Sequence, residues 1–245
     1  MAEESRVDER GEQAPEWDAE TARYYEHYWY NASKKLDLRR MDGFSEVAHL
    51  VRKKGSTYLH LDRLYTIWQA VHAVPAGAEA SVEVGAFRGG SAKFAAETMR
   101  RCGQRAPFYV CDTFEGHVAV DPALDGHHEV GKQFRKTSFE RVSAYLSDYE
   151  FVRVLKGDIR ETAAAFASVA GFGYVHIDVD VHPITVFCLE TFAPRAVPGA
   201  WIVVDDYGAR TCPGVKTAVD DFARHHPEFS LLHLLTGQAI LLRRS

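Results

Sequence analysis

Seven short β-rich runs lie between residues 80 and 242, and the first six are separated by segments long enough to hold a helix. The runs are Ala80–Val84, Phe108–Asp112, Phe151–Lys156, Tyr174–Asp178, Trp201–Val204, Phe229–Leu235 and Ala239–Leu242. Helical segments begin near Ser91, Ser138, Glu161, Pro183 and Gly214, and a first-turn proline such as Pro183 loses no hydrogen bond. Strands joined through helices must run parallel, and the helices then cover the sheet. The last two runs break this rule. Only the turn at Thr236-Gly237 joins them, so they must be antiparallel. The pattern predicts a doubly wound α/β fold: a mostly parallel seven-stranded sheet of Rossmann-like type, closed by a C-terminal hairpin. A parallel sheet closed by such a hairpin is unusual for dinucleotide dehydrogenases.

Ahead of the sheet, Leu61, Leu64, Tyr65, Trp68 and Val71 recur at helical spacing until Pro75 and Gly77 end the helix. The chain divides into a polar, disordered tail over 1–15, N-terminal helices over 16–76 and a ligand-binding domain over 77–245. The aromatic stripe Trp17, Tyr24, Tyr25, Tyr28 and Trp29 reads as packing surface, and the apolar character of 17–30 predicts a homo-oligomer contact.

Composition excludes several classes. A net charge of -5 argues against a general nucleic-acid binder. No apolar run is long enough for a membrane span, and the acidic N-terminus does not resemble a signal peptide. The four cysteines, at 102, 111, 188 and 212, form no CxxC pair and read as reduced thiols of a cytoplasmic protein.

In a doubly wound sheet, ligands bind beyond the carboxyl ends of the strands, at the switch point. The first run leads into Glu83-Val84-Gly85-Ala86-Phe87-Arg88-Gly89-Gly90-Ser91. This glycine-rich turn fits neither the dinucleotide spacing nor a Walker loop. Glu83 precedes it as an acceptor, and Gly85, Gly89 and Ser91 shape the backbone approach. After the second run come Asp112 and Thr113; an acid here suits a ribose diol. After the third come Gly157 and Asp158, which would flank an adenine ring. Each acid has a plainer reading as a turn or helix cap.

The fourth run gives His176-Ile177-Asp178-Val179-Asp180-Val181-His182, and the fifth gives Asp205-Asp206-Tyr207-Gly208. Adjacent strands would bring these carboxylates together, with no lysine or arginine beside them in sequence. Bare convergent carboxylates repel, and a hard divalent cation relieves them. Asp178, Asp205 and Asp206 are therefore the expected magnesium ligands. The loop 113–137 contains His117, His127 and His128 and reads as a substrate cover.

These stretches, with Pro198-Gly199 and Val215–Phe222, resemble the macrocin O-methyltransferase family of magnesium-dependent sugar O-methyltransferases in antibiotic biosynthesis. The resemblance implies S-adenosylmethionine in the glycine-rich half, Mg2+ on the three aspartates, and a sugar diol as acceptor. His182 stands where the family usually has a tyrosine. Asp178 and His182 are rival general bases. A catechol-like acceptor would use the same metal logic, and a non-catalytic adenosyl-binding module would not need the carboxylates.

Overall fold

The computed structural model describes residues 38, 41, 43–52 and 56–245. The tail over 1–15 and the aromatic stripe over 17–30 fall outside these residues, and so does the oligomer contact expected there. Residues 42–245 fall in one compact unit, which contains the sheet.

The elements of this unit are α1 (Phe44–Arg52), α2 (Leu61–His72), β1 (Ala80–Val84), α3 (Gly90–Arg101), β2 (Phe108–Asp112), α4 (Phe139–Leu146), β3 (Val152–Lys156), the short α5 (Ile159–Thr162), β4 (Phe172–Ile177), α6 (His182–Phe192), β5 (Ala196–Val204), α7 (Pro213–His225), β6 (Phe229–His233) and β7 (Ala239–Arg243). The sheet order is β3-β2-β1-β4-β5-β7-β6. The pairings among β1 to β5 are parallel, whereas β7 is antiparallel to both β5 and β6. The switch point lies between β1 and β4, where the chain turns to opposite sides of the sheet.

The predicted alternation is present, with shifted ends. β5 begins at Ala196 rather than Trp201, because the strand runs through Pro198 and Gly199 before its fully apolar part. β6 stops at His233 rather than Leu235, since Leu234 is taken into the turn: its N–H donates to Gln238 O.

Helix termini follow local chemistry. Ser138 caps α4 by accepting from Arg141 N, and Arg100 and Arg101 sit at the negative end of α3. The helix α6 has no cap of its own. Every residue of β1 and β4 is buried. Full burial of a large apolar side chain contributes about 1.5–3 kcal/mol, so Phe172 and Val175 anchor the sheet beneath the site. On the N-terminal side, Phe44 of α1 packs edge-on against Phe94 of α3 at 5.7 Å and against Trp68 of α2 at 6.3 Å.

Candidate active site

Backbone ladders continue one residue past the strand ends and fix the acids in place. Asp178 N donates to Val84 O at 2.9 Å, and Asp205 N donates to Ile177 O at 2.8 Å. Gly85 is required at this junction: its φ is +99°, and a Cβ there would lie 1.7 Å from the carbonyl oxygen of Asp178. The chain then leaves both strands through left-handed aspartates, Asp180 at φ 62° and Asp206 at φ 57°. Aspartate tolerates this region better than most residues, and such strain gathers at functional sites.

The acids converge, but they are not bare. Arg63 reaches in from α2, and its Nη1 lies 2.6 Å from Asp205 Oδ1 and 2.8 Å from Asp206 Oδ1. This corrects the expectation of a cation-free cluster: the cation is distant in sequence and adjacent in space. A second partner is His176, fully buried between Glu83 Oε2 at 3.0 Å and Asp205 Oδ2 at 3.2 Å. Burial alone would lower its pKa, but hydrogen bonds to Asp205 and Glu83 raise it well above the usual value, which favours the charged ring. Gln238 also donates to Asp205 Oδ2 at 3.2 Å. Although burial works in the other direction, the hydrogen bond from His176 and the charges of His176 and Arg63 hold Asp205 below the usual carboxylate range.

Asp178 differs from Asp205. Its carboxylate has no hydrogen-bond or ion-pair partner among the described residues, and burial beside Asp205 and Asp180 raises its pKa well above the usual range. Burial and the neighbouring Asp206 raise Asp180 likewise. Four carboxylates at 178, 180, 205 and 206 face two cations, Arg63 and His176, and Glu83 shares the second. At least two negative charges are therefore uncompensated when all are ionised. An orphaned carboxylate in an oxygen-rich cluster with that excess fits a hard divalent ion.

The other half of the site is built around Asp112. Its Oδ2 accepts from Phe87 N in the glycine-rich loop at 2.6 Å, and its Oδ1 accepts from Phe114 N at 2.6 Å. Each oxygen retains a lone pair, so Asp112 both fixes the loop and can still accept from a diol. Gly157 follows β3 and donates to Asp112 O at 3.0 Å. Glu83 and Ser91 lie inside the protein, Ser91 Oγ donating to Glu83 Oε1 at 2.9 Å. They sit beneath the loop, and with His176 they form a buried chain from the start of α3 to Asp205. Thr113 caps its own turn by donating to Gly116 O at 2.7 Å. Asp158 caps α5 and pairs with Arg160, which lowers its pKa. Gly89 is the left-handed N-cap of α3 at φ +76°.

His182 opens α6, and its backbone N–H donates to both oxygens of Asp125, at 3.0 and 3.1 Å. Asp125 is 1% exposed and belongs to the loop 113–137. The loop thus supplies the cap that α6 lacks. A Cβ at Gly214 of α7 would lie 2.2 Å from Asp125 Oδ1, so this glycine makes room for the docked carboxylate. Arg63, His176, Asp180 and Asp125 are the site residues to which sequence reasoning gave no role. A signal existed for His176, a polar residue in an otherwise apolar buried strand.

Residues 31–243 match the macrocin-O-methyltransferase (TylF) family. The chain is 29% identical over 177 residues to 8-demethyl-8-(2,3-dimethoxy-alpha-L-rhamnosyl)-tetracenomycin-C 4'-O-methyltransferase of Streptomyces olivaceus, an alignment covering 67% of this chain and 65% of that one. It is 27% identical over 151 residues to demethyldecarbamoylnovobiocin O-methyltransferase of Streptomyces niveus, covering 58% and 56%. The chain therefore spans less than two thirds of the length of either relative. The solved structure of the O-methyltransferase NovP superposes with a TM-score of 0.62 at 24% identity, covering 78% of this chain and 83% of that one. The match over nearly all of the described residues and the shared fold place this chain in the macrocin-O-methyltransferase family.

Proposed function

We propose that the chain is an S-adenosylmethionine- and magnesium-dependent O-methyltransferase acting on a sugar hydroxyl of a glycosylated natural product or nucleotide sugar. The observation that carries this reading is the orphaned carboxylate of Asp178. It lies among Asp180, Asp205 and Asp206, across the switch point from the glycine-rich loop and Asp112. Family membership and the sugar named in the Streptomyces olivaceus relative support the acceptor class.

Asp178, Asp205 and Asp206 would hold the magnesium ion. When bound, it would supply charge stabilisation to a developing alkoxide and orient a vicinal diol. The chain's own residues do the rest. Gly85 and Gly89 shape the turn that would receive the cofactor, Asp112 would accept from its ribose, and Gly157 and Asp158 would border the base. Holding the sulfonium and the hydroxyl in line is the main service the protein offers to an already electrophilic methyl donor. Asp180 joins Asp178 and His182 as a candidate proton acceptor, because it sits beside Asp206 with a raised pKa.

Turnover tests the proposal: a gain of one methyl group on a panel of nucleotide sugars, glycosides and catechols, with and without chelator. Methylation of sugars that stops on chelation is expected. Methylation of catechols alone would move the acceptor class, and full activity in excess chelator would remove magnesium from the reading.

A further inference from the structure

Beside the carboxylates, other donors gather around one sulfur. Cys212 precedes α7 and is 2% exposed. Its Sγ lies 3.6 Å from His128 Nε2 and 3.7 Å from Asp180 Oδ1. One ligand atom from each of Asp180, Asp206 and Cys212 falls within 4.8 Å of the others. Three separate segments contribute: the loop 113–137, the end of β4, and the stretch between β5 and α7.

The distances have a geometric meaning. Tetrahedral zinc with Zn–S of about 2.3 Å and Zn–N or Zn–O of about 2.0–2.1 Å places sulfur about 3.6 Å from its neighbouring ligand atoms. The two measured separations from Sγ match that edge length, and His128 completes the set by turning from the sulfur toward the two carboxylates. The imidazole also has an outer partner: His128 Nδ1 is 3.1 Å from His117 Nε2. A ring held through its other nitrogen is the usual arrangement of a metal-binding histidine.

We infer that Cys212, Asp180 and Asp206 form a second metal site, for a thiophilic divalent ion of the zinc type, with His128 turning onto the ion from its place against Cys212. The site is distinct in chemistry from the oxygen-only magnesium site, because thiolate and imidazole suit zinc and not magnesium. On the reading that Asp206 also serves magnesium, the two ions exclude each other, and zinc is an inhibitor. Binding replaces the thiol proton of Cys212, which leaves to solvent. His128 binds through Nε2, whose proton, now donated to Thr211 O, is exchanged through solvent for one on Nδ1, toward His117. It gives up its contact with Thr211 O, now 3.1 Å away. The ion would tie the loop 113–137 to the end of β4 and the entry to α7.

Cobalt(II) titration of the full chain tests this directly. A thiolate-to-cobalt charge-transfer band should grow and saturate at one equivalent. C212S should abolish it, and H128Q should weaken cobalt binding by at least about tenfold. The thermal shift caused by S-adenosylhomocysteine verifies that each variant is folded. Should C212S not fold, H128Q and D180N decide: unchanged cobalt affinity in both overturns the site. No charge-transfer band in the parent chain, or a full band in C212S, also overturns it. Because the band is read without turnover, a failure of the magnesium reading leaves this test intact.

Discussion

Arg63 Nη1 stands 2.6 Å from Asp205 Oδ1, joining a helix that precedes the sheet to a carboxylate at its far strand end. The same nitrogen holds Asp206 Oδ1 at 2.8 Å, and Arg63 Nε donates to Thr236 O at 3.1 Å in the closing hairpin. Among the described residues, Arg63 is the cation that pairs with both Asp205 and Asp206, while His176 pairs with Asp205 alone. Arg63→Gln should destabilise the metal-free protein by about 2–3 kcal/mol, since removing one partner leaves poorly solvated carboxylates unpaired. Magnesium should recover most of that loss by supplying the missing charge. Thermal unfolding with and without magnesium gives the comparison; an equal loss in both conditions would show that Arg63 acts on packing alone.

Gly85→Ala should remove adenosyl-ligand binding along with stability. The added methyl group would meet the Asp178 carbonyl oxygen at 1.7 Å, and the φ of +99° is unsuited to alanine. The parent chain should gain about 2.7 kcal/mol from S-adenosylhomocysteine at about 100 times its dissociation constant. Gly89→Val is the milder companion, because its Cβ meets side chains rather than backbone, Val142 at 3.0 Å and Tyr145 at 3.5 Å, although φ is +76°. Its ligand-induced shift should still be lost. A full shift in Gly89→Val would move the nucleoside site away from this turn.

The sheet was legible because strand-helix alternation and a turn too short for a crossover leave few topologies. The aspartates were legible because strand ends are where such folds bind ligands. Arg63 was not, for it lies 142 residues before Asp205 and occupies an ordinary amphipathic helix. His176 stood out as a polar residue in an apolar strand, but its partner did not: register places it directly opposite Glu83, which only strand pairing reveals. Asp180 lies past the strand end in a left-handed turn, where the alternation of faces no longer says which way a side chain points. Asp125 is one acid in a loop of no periodic pattern, and its role as a cap exists only once α6 has been placed.

Asp125→Ala should loosen the loop 113–137 before it affects the sheet. It removes the acceptor from His182 N and from Asp121 N, the latter at 2.8 Å. Loss of a helix cap costs about 0.5–2 kcal/mol. Limited proteolysis should cut within 113–137 faster than in the parent, while the Asn variant keeps one acceptor oxygen and falls between. Equal cleavage rates would mean that the loop is held elsewhere.

Acid stability should depend on Glu97, whose side chain is 5% exposed. The bidentate hydrogen bond from Arg100, working against burial and aided by Arg101 and Tyr149, lowers its pKa to about 2. A carboxylate depressed in the folded state adds stability that is fully present above its unfolded pKa of about 4.3 and is lost as pH falls through the folded value. The window is thus about pH 4.3 down to about 2. Both arginines are more than a third exposed, so solvent screening limits the contribution to about 1–2 kcal/mol. Glu97→Gln should be less stable at neutral pH and should show a flatter dependence within that window. Parallel pH profiles for the two proteins would assign the acid transition to other carboxylates.

Asp178→Asn separates a metal ligand from a structural acid. The Asp178 carboxylate has no hydrogen-bond or ion-pair partner among the described residues, and its negative charge is disfavoured by burial and by Asp205 and Asp180. Replacing it with a neutral group of the same shape removes repulsion without breaking a bond. The metal-free variant should therefore be as stable as the parent or more stable, by up to about 1–2 kcal/mol. Magnesium should stabilise the parent and not the variant, because a hard cation gains little from an amide in place of a carboxylate. Binding of S-adenosylhomocysteine should persist, since Asp112 and the glycine-rich loop are untouched. Unfolding curves in chelator, in magnesium and in the adenosyl ligand test all three statements on one protein. A variant markedly less stable than its parent in chelator would mean that the Asp178 carboxylate holds the fold together, and the case for it as a magnesium ligand would lose its main support.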